Sequence, residues 1–315
     1  MQAVVYYLAL PWLYGLSVLP FPVLFVLSDG LYYLLYYVLG YRKTVVRGNL
    51  ARSFPEKPAA ERRKIERQFY RSLCDIVVEN LKGLTMSKKT AVHRCQFTPE
   101  SVQLVRQYAK RGRPVIYAMA HQVNWEYSGA AVGPESDFEW YSLYRRISNP
   151  YFERLFYRKR SRMGLHMIDS ETGVRKLMAL RNERAALVFV ADQTPGKRSA
   201  FWMEFLNQPT PVFQGTERIA KKLNCPVHYA CLYRLKRGHY RIAVEPITDS
   251  PRELPEGRVL EEFMGRLERD IRRRPSEWLW SHRRWKHQPP EDYTGAHKTR
   301  VTPPEQLQQA TETSA

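Results

Sequence analysis

Apolar and polar positions divide the chain into three stretches. The first 41 residues are almost uncharged: AVVYYLALPWLYGLSVLPFPVLFVL is followed by Asp29, then LYYLLYYVLG, and the next charge is Arg42. A run of roughly 20 apolar residues is long enough to cross a bilayer. Pro11, Pro20 and Pro22 interrupt it, so one kinked span, two half-helices and a re-entrant hairpin all fit. No Lys or Arg precedes the run and no small-residue cleavage site follows it, which disfavours a removed signal peptide. Tyr6, Tyr7, Trp12 and Tyr14 read as interfacial aromatics, which favours a membrane segment over the buried hairpin of a soluble domain. Arg42, Lys43, Arg47, Arg52 and Lys57 follow, and by the positive-inside rule they hold the rest of the chain in the cytoplasm. Residues 1–41 are expected to form a membrane anchor and 42–287 the main domain. Residues 288–315, rich in Pro, Thr, Gln and Glu without hydrophobic periodicity, are expected to be a mobile tail.

Within the main domain, residues 59–83 carry apolar positions at helical spacing, with Ile65, Phe69, Leu73 and Val77 or Val78 on one face. This basic amphipathic helix could lie on lipid headgroups or pack on a core. Beyond residue 98 the period alternates. RPVIYAMA, FEWYSLYR, LHMID, AALVFVAD, CPVHYACLYRL and YRIAVEPI read as strands. NPYFERLFYRKRSRMG, TGVRKLMALRNER, GTERIAKKLN and GRVLEEFMGRLERDIRRR read as helices. Such alternation predicts an α/β fold with a largely parallel or mixed sheet flanked by helices. Sites in these folds lie beyond the carboxyl ends of strands. His121, Arg145 and Asp192 each stand just past one.

Composition adds one strong constraint. Lys and Arg number 50 against 31 Asp and Glu, a formal net charge of +19. This surplus calls for an anionic partner, whether lipid headgroups, phosphorylated lipids, an acidic carrier protein or nucleic acid. The basic residues are spread along the chain with no recognisable nucleic-acid motif, which argues against the last. Cys74, Cys95, Cys225 and Cys231 form no C-x-x-C pair and no zinc spacing, so reduced thiols are expected and no metal.

His121 and Glu126 lie five positions apart, about 140° around a continuous helix, so they share no helical face. They can meet if His121 is in the loop and Glu126 in the first turn of the following helix. A carboxylate on one ring nitrogen fixes the tautomer and frees the other nitrogen as a base. The substrate would then bring the nucleophile. Alone, this spacing is weak evidence.

The segment HQVNWE is similar to the His-x-x-Asn-Trp-Glu motif of the lipid A late acyltransferases, the lauroyl/myristoyltransferase family within the His-x4-Asp/Glu glycerolipid acyltransferase group. NLARSFPE, YRRISNPYFERLF, RSRMG, ADQTP, FLNQPTPVFQGTERIA and EWLWSHRRWK resemble further segments of that family in the same order, up to Lys286. Two positions depart from its pattern: Val123 stands where Gly usually precedes Asn, and Thr194 where an acid usually follows Asp-Gln. The resemblance implies transfer of a fatty acyl group from an acyl-carrier-protein or coenzyme A thioester to a hydroxyl of a phosphorylated lipid, most readily a lipid A precursor. It implies no cofactor, and a bacterial inner-membrane location with the catalytic domain on the cytoplasmic side. His121 would be the general base and Glu126 its support. Asn124, Arg145, Arg160, Asp192 and Gln193 would bind substrate.

Each residue also has an ordinary reading. Glu126 suits a helix N-terminus. With so many cations in the chain, an Arg is more often a solvated charge, and Arg162 could replace Arg160. Asp192 and Gln193 could cap the next element. Trp278, Trp280 and Trp285, with Arg283, Arg284 and Lys286, could sit at a lipid interface or pack against the sheet. The rival functions are acyl transfer to another acceptor (a lysophospholipid or an aminoacyl lipid) and a non-enzymatic, basic membrane-surface protein.

Overall fold

The computed structural model describes residues 1–131, 137–196 and 200–302. Two N-terminal helices, α1 (Gln2–Val18) and α2 (Phe21–Tyr33), meet at Leu19 and Pro20, and α2 runs on through a wider π-turn at Leu34–Val38. Pro11 is accommodated inside α1, so the break falls at Pro20. Then come α3 (Lys43–Ser53), α4 (Ala59–Lys82) and α5 (Lys88–Arg94). The alternating part follows: β1 (Cys95–Phe97), α6 (Pro99–Lys110), β2 (Val115–Met119), α7 (Ser128–Ala131), β3 (Glu139–Tyr144), α8 (Pro150–Ser161), β4 (Leu165–Asp169), α9 (Val174–Ala179) and β5 (Ala185–Val190). The chain continues through β6 (Ala200–Phe205), β7 (Gln208–Phe213), α10 (Gly215–Leu223), β8 (Val227–Lys236), β9 (His239–Thr248) and α11 (Arg258–Arg273).

Among the described residues, seven strands form one sheet in the order β1-β9-β8-β2-β5-β3-β4, parallel except for the β8–β9 pair. Both faces of the central strands are buried, and the two-residue period sorts them. Ile116, Ala118, Leu187 and Phe189 face one core with Phe263 and Ile271 of α11. Tyr117, Met119 and Ala186 face the other with Val105 and Tyr108 of α6. A sheet covered on both sides needs near-continuous apolar strands, which is what RPVIYAMA and AALVFVAD supply. The antiparallel β6–β7 hairpin was not among the predicted elements.

Of the two readings of α4, packing on a core is the one observed: Val78 is buried and Val77 exposed, and its apolar face packs against α2 and α3. One expectation changes. In the stretch expected to be a mobile tail, residues 293–302 are tied to the body. The Tyr293 hydroxyl donates to Glu204 (2.8 Å), the Arg300 N–H to the Glu261 carbonyl (3.1 Å), and the Thr302 hydroxyl to Glu262 (2.6 Å). The cause is on α11, where Glu262 and Arg266 are buried and require polar partners. Residues 303–315 lie outside the described residues.

Candidate active site

The site grows out of strand register. β2 and β5 are parallel neighbours, with Met119 opposite Val190. Two residues further along each strand stand His121 and Asp192, so the sheet itself brings the imidazole and the carboxylate together. His121 Nδ1 lies 2.6 Å from Asp192 Oδ1, and the His121 backbone N–H donates to Oδ2 at 3.1 Å. The Trp278 indole N–H also donates to Oδ2, at 2.8 Å. Burial raises the Asp192 pKa, but the adjacent His121 and these hydrogen bonds outweigh it, and the carboxyl stays below its ordinary range. An ionised Asp192 accepts a hydrogen bond from Nδ1–H, which fixes the tautomer in which Nε2 is the accepting nitrogen. The Gln193 amide nitrogen stands 3.1 Å from Nε2.

This arrangement corrects the expected partner of His121. The carboxylate on its ring is Asp192, read from sequence as a substrate binder, and not Glu126. Glu126 is engaged elsewhere, with Arg160 reaching it twice (2.5 and 3.1 Å) and Lys159 Nζ lying 3.4 Å away. Burial opposes the charge on Glu126, but Lys159 and Arg160 together pull its pKa down to about 2. Burial lowers the pKa of Lys159, and Glu126 partly restores it. Both cations come from α8, whose start is fixed by Pro150 and by Asn149 Oδ1 accepting the Tyr151 N–H at 3.0 Å.

His121 and the Glu126 cluster face one cavity of about 410 Å³, together with Trp125, Arg145 and Gln193. Part of its wall is apolar, including Met86, Met119, Met163, Leu165 and Met167. The Trp125 ring stands edge-on to His121 at 4.7 Å. Arg145 lines the mouth with a side chain 84% exposed and a loose contact to Glu171 at 3.4 Å. Arg160 also lines the cavity, but its guanidinium is largely occupied by Glu126. Asn124 does not reach the cavity. It is fully buried and donates to Glu79 Oε2 at 2.7 Å, and the Tyr240 hydroxyl donates to the same oxygen at 2.7 Å. Burial pushes the Glu79 carboxyl up to about 7.

The loop between β2 and α7 is strained and braced. Val123 has φ of 36°, a left-handed value costly for a β-branched residue, and this is the position where the resembling family carries Gly. Its N–H donates to the Glu277 carbonyl at 2.8 Å. Trp278 and Trp280 are buried, and Arg284 is buried with Nη1 on the Pro211 carbonyl at 2.6 Å, so this segment packs in the interior rather than at a lipid interface. Thr194, which replaces the family's acid, donates to the Arg284 carbonyl at 2.7 Å. Sequence reasoning missed Lys159, which is one cation in the run YRKRSR, and Glu79. It also missed the tie from Trp278 to Asp192. Asp192 and His121 both follow strands, but which strands are neighbours is not written in the sequence, so their pairing went unread.

Comparison with known proteins identifies the family. The family described as bacterial lipid A biosynthesis acyltransferase matches residues 1–287. The lipid A biosynthesis palmitoleoyltransferase of Escherichia coli (strain K12) is 26% identical over 290 residues, covering 89% of this chain and 92% of that protein. The lipid A biosynthesis acyltransferase of Shigella flexneri matches to the same extent, 26% over 290 residues. The lipid A biosynthesis acyltransferase of Haemophilus influenzae (strain ATCC 51907 / DSM 11121 / KW20 / Rd) is 22% identical over 293 residues, covering 89% of this chain and 92% of that protein. The chain belongs to the bacterial lipid A biosynthesis acyltransferase family and is an acyltransferase by that membership.

Proposed function

We propose that this member of the lipid A biosynthesis acyltransferase family moves a fatty acyl group from a thioester donor, on acyl carrier protein or coenzyme A, to a hydroxyl of a phosphorylated lipid A precursor. His121 Nε2 takes the proton of the acceptor hydroxyl as its oxygen attacks the thioester carbonyl. The C–O bond forms, the C–S bond breaks, and the imidazolium returns the proton to the departing thiolate. Asp192 holds Nδ1–H and steadies the imidazolium, acting through His121 as a positioning residue. The thioester is already activated, so the reaction needs no cofactor. Arg145 meets an acceptor or donor phosphate at the mouth, where a planar guanidinium suits bidentate contact. The apolar wall takes the acyl chain. The enzyme works at the cytoplasmic side of a bacterial inner membrane.

The observation that carries this reading is the imidazole whose Nδ1 is 2.6 Å from a buried carboxylate while its ring lines a cavity that also has apolar side chains and the cations Arg145, Lys159 and Arg160 in its wall. Glu126 in this reading shapes the basic wall by pairing with Lys159 and Arg160, and it is not the orienting carboxylate.

The test uses the purified full-length protein with acyl-thioesters and a panel of hydroxyl lipids, with products weighed by mass spectrometry. A gain of one acyl chain on a lipid A precursor is expected. A positioned base contributes roughly 10²–10⁴ in rate, so His121→Ala should lose that much turnover while remaining folded. Near-native turnover in folded His121→Ala would overturn the assignment. A gain only on a lysophospholipid or aminoacyl lipid would move the acceptor and leave the chemistry.

A further inference from the structure

The N-terminal pair of helices has an unusual relation to the rest of the protein. By length and composition, Phe21–Val38 could cross a membrane. A crossing helix has its two ends on opposite sides of a hydrocarbon layer about 30 Å thick. Here both ends of both helices are fastened to the main domain.

At the start of α1, the Asn149 side chain donates to the Gln2 carbonyl at 3.3 Å, and Tyr6 packs on Tyr151 and Phe152 of α8 at 5.5 and 5.3 Å. At its end, the Thr85 hydroxyl donates to the Ser17 carbonyl at 2.7 Å and Lys82 to the Leu19 carbonyl at 2.9 Å. Helix α2 begins with Phe21 under the Arg94 guanidinium, 3.3 Å from the ring centroid. In its middle the Ser28 hydroxyl donates to Asp75 at 2.7 Å, and Asp29 pairs with Arg237 at 2.7 Å. Past its end, Tyr36 packs on Tyr70 at 5.2 Å, and the Tyr70 hydroxyl donates to the Tyr41 carbonyl. The helices therefore lie flat on α4 and α8 along their whole length.

Their other face is bare. Val4, Leu8, Trp12, Val26, Leu34 and Val38 all point outward, Trp12 at 75% and Val26 at 69% exposure. Asp29, the single charged side chain in residues 1–41, is tied to Arg237. A continuous apolar, aromatic surface of this extent marks an interaction site rather than a solvated face. Cations border it along α2 and beyond: Arg71 of α4 lies over the Tyr32 ring at 5.1 Å, Lys43 over Tyr36 at 4.0 Å and Arg42 over Tyr41 at 5.5 Å. Apolar groups bordered by cations match an anionic lipid surface, in which apolar side chains enter the acyl boundary and cations meet headgroups. A second copy fits less well, because a two-fold pairing through this face would set the same cationic flank of one copy beside that of the other.

We infer that residues 1–41 form a monotopic, in-plane lipid anchor and do not cross the bilayer, so the N-terminus lies on the same side as the catalytic domain. The anchor also sets the height of the site. Tyr6 grips α8 at Tyr151 and Phe152, and Arg160 of that helix, which faces the cavity, stands about 12 Å further along. The mouth is thereby held at headgroup level, where a phosphorylated lipid can enter without leaving the membrane. The inference stands on the packing of the hairpin and does not depend on the acyl-transfer reading.

Cysteine labelling on the full chain tests it without turnover, since Cys74, Cys95, Cys225 and Cys231 are buried. Single variants Gln2→Cys, Arg63→Cys, Leu8→Cys and Val26→Cys are placed in sealed vesicles of phosphatidylethanolamine and phosphatidylglycerol and treated with a membrane-impermeant maleimide. Arg63→Cys reports the side on which the main domain lies. The expected result is that Gln2→Cys labels from that same side, while Leu8→Cys and Val26→Cys lose labelling until detergent is added. Labelling of Gln2→Cys only from the opposite side would show a span and overturn the inference. Free labelling of Leu8→Cys and Val26→Cys in intact vesicles would overturn it as well. So would protection that disappears as protein is diluted into more lipid, because that would place a second copy on the face.

Discussion

Two regions beside the same cavity each carry a carboxylate largely withdrawn from solvent, and they behave differently because of what faces them. At the ends of β2 and β5, Asp192 meets a single imidazole and an indole N–H. On the α8 wall, Glu126 meets two permanent cations. Both carboxylates are held ionised, but only the first is bonded to a ring nitrogen of the proposed base. The second is closed within its ion cluster. Proximity in sequence favoured Glu126 as the partner of His121. Position in the sheet favours Asp192.

The largest expected effect separates the two regions directly. Asp192→Asn keeps the size and can still accept the Trp278 N–H, but it cannot stabilise an imidazolium and permits the wrong ring tautomer. Turnover should fall by roughly 10²–10⁴ with a much smaller change in KM. Steady-state kinetics at saturating donor check this, and a loss confined to KM would return Asp192 to substrate binding.

Glu126→Gln is expected to act first on the fold. It leaves Lys159 and Arg160 without a counter-charge, and breaking a buried pair costs about 3–5 kcal/mol. The pH dependence carries the same information. The Glu126 pKa falls from 4.5 to about 2 in the folded protein, so its contribution is full above about pH 4.5 and is lost as pH falls towards 2. The variant should therefore show a lower unfolding midpoint at neutral pH and a shallower acid loss. If its midpoint matches the wild type while turnover collapses, Glu126 acts in the chemistry after all.

The smallest effect concerns Glu79, which braces the catalytic loop through Asn124. Its pKa rises from 4.5 to about 7 on folding, so the folded state holds the extra proton. Stability should then decline as pH rises from about 4.5 through 7, the opposite sense to Glu126. Glu79→Gln should flatten that slope, read as unfolding midpoints at pH 5 and pH 8. An unchanged slope would assign the dependence to other groups.

Much of this was legible in the chain. Apolar runs of five or six residues located β2 and β5, and helical spacing located α4 and α11. The strand ends pointed to His121, Arg145 and Asp192. Three things were not legible, each for a physical reason. Pairing across the sheet depends on strand order, which the sequence does not display, so Asp192 was placed near the site but not on His121. The β6–β7 hairpin contains Pro209 and Pro211, which mask a strand pattern. The stretch 293–302 has no apolar period because polar bonds to buried groups on α11 hold it, and periodicity detects only packing.

The segment around Trp278 has a consequence for the order in which the molecule becomes competent. Its carbonyl at Glu277 holds the strained Val123, and its indole holds Asp192. The Trp280 carbonyl accepts from Asn49 at 2.9 Å and the Ser281 carbonyl from Arg42 at 3.0 Å. Three separate parts of the chain, α3, the Val123 loop and the end of β5, thus close on residues 277–281. A chain still short of residue 277 lacks the groups that hold Val123 and Asp192. The catalytic pair is therefore set only once residues 277–281 have been added and packed.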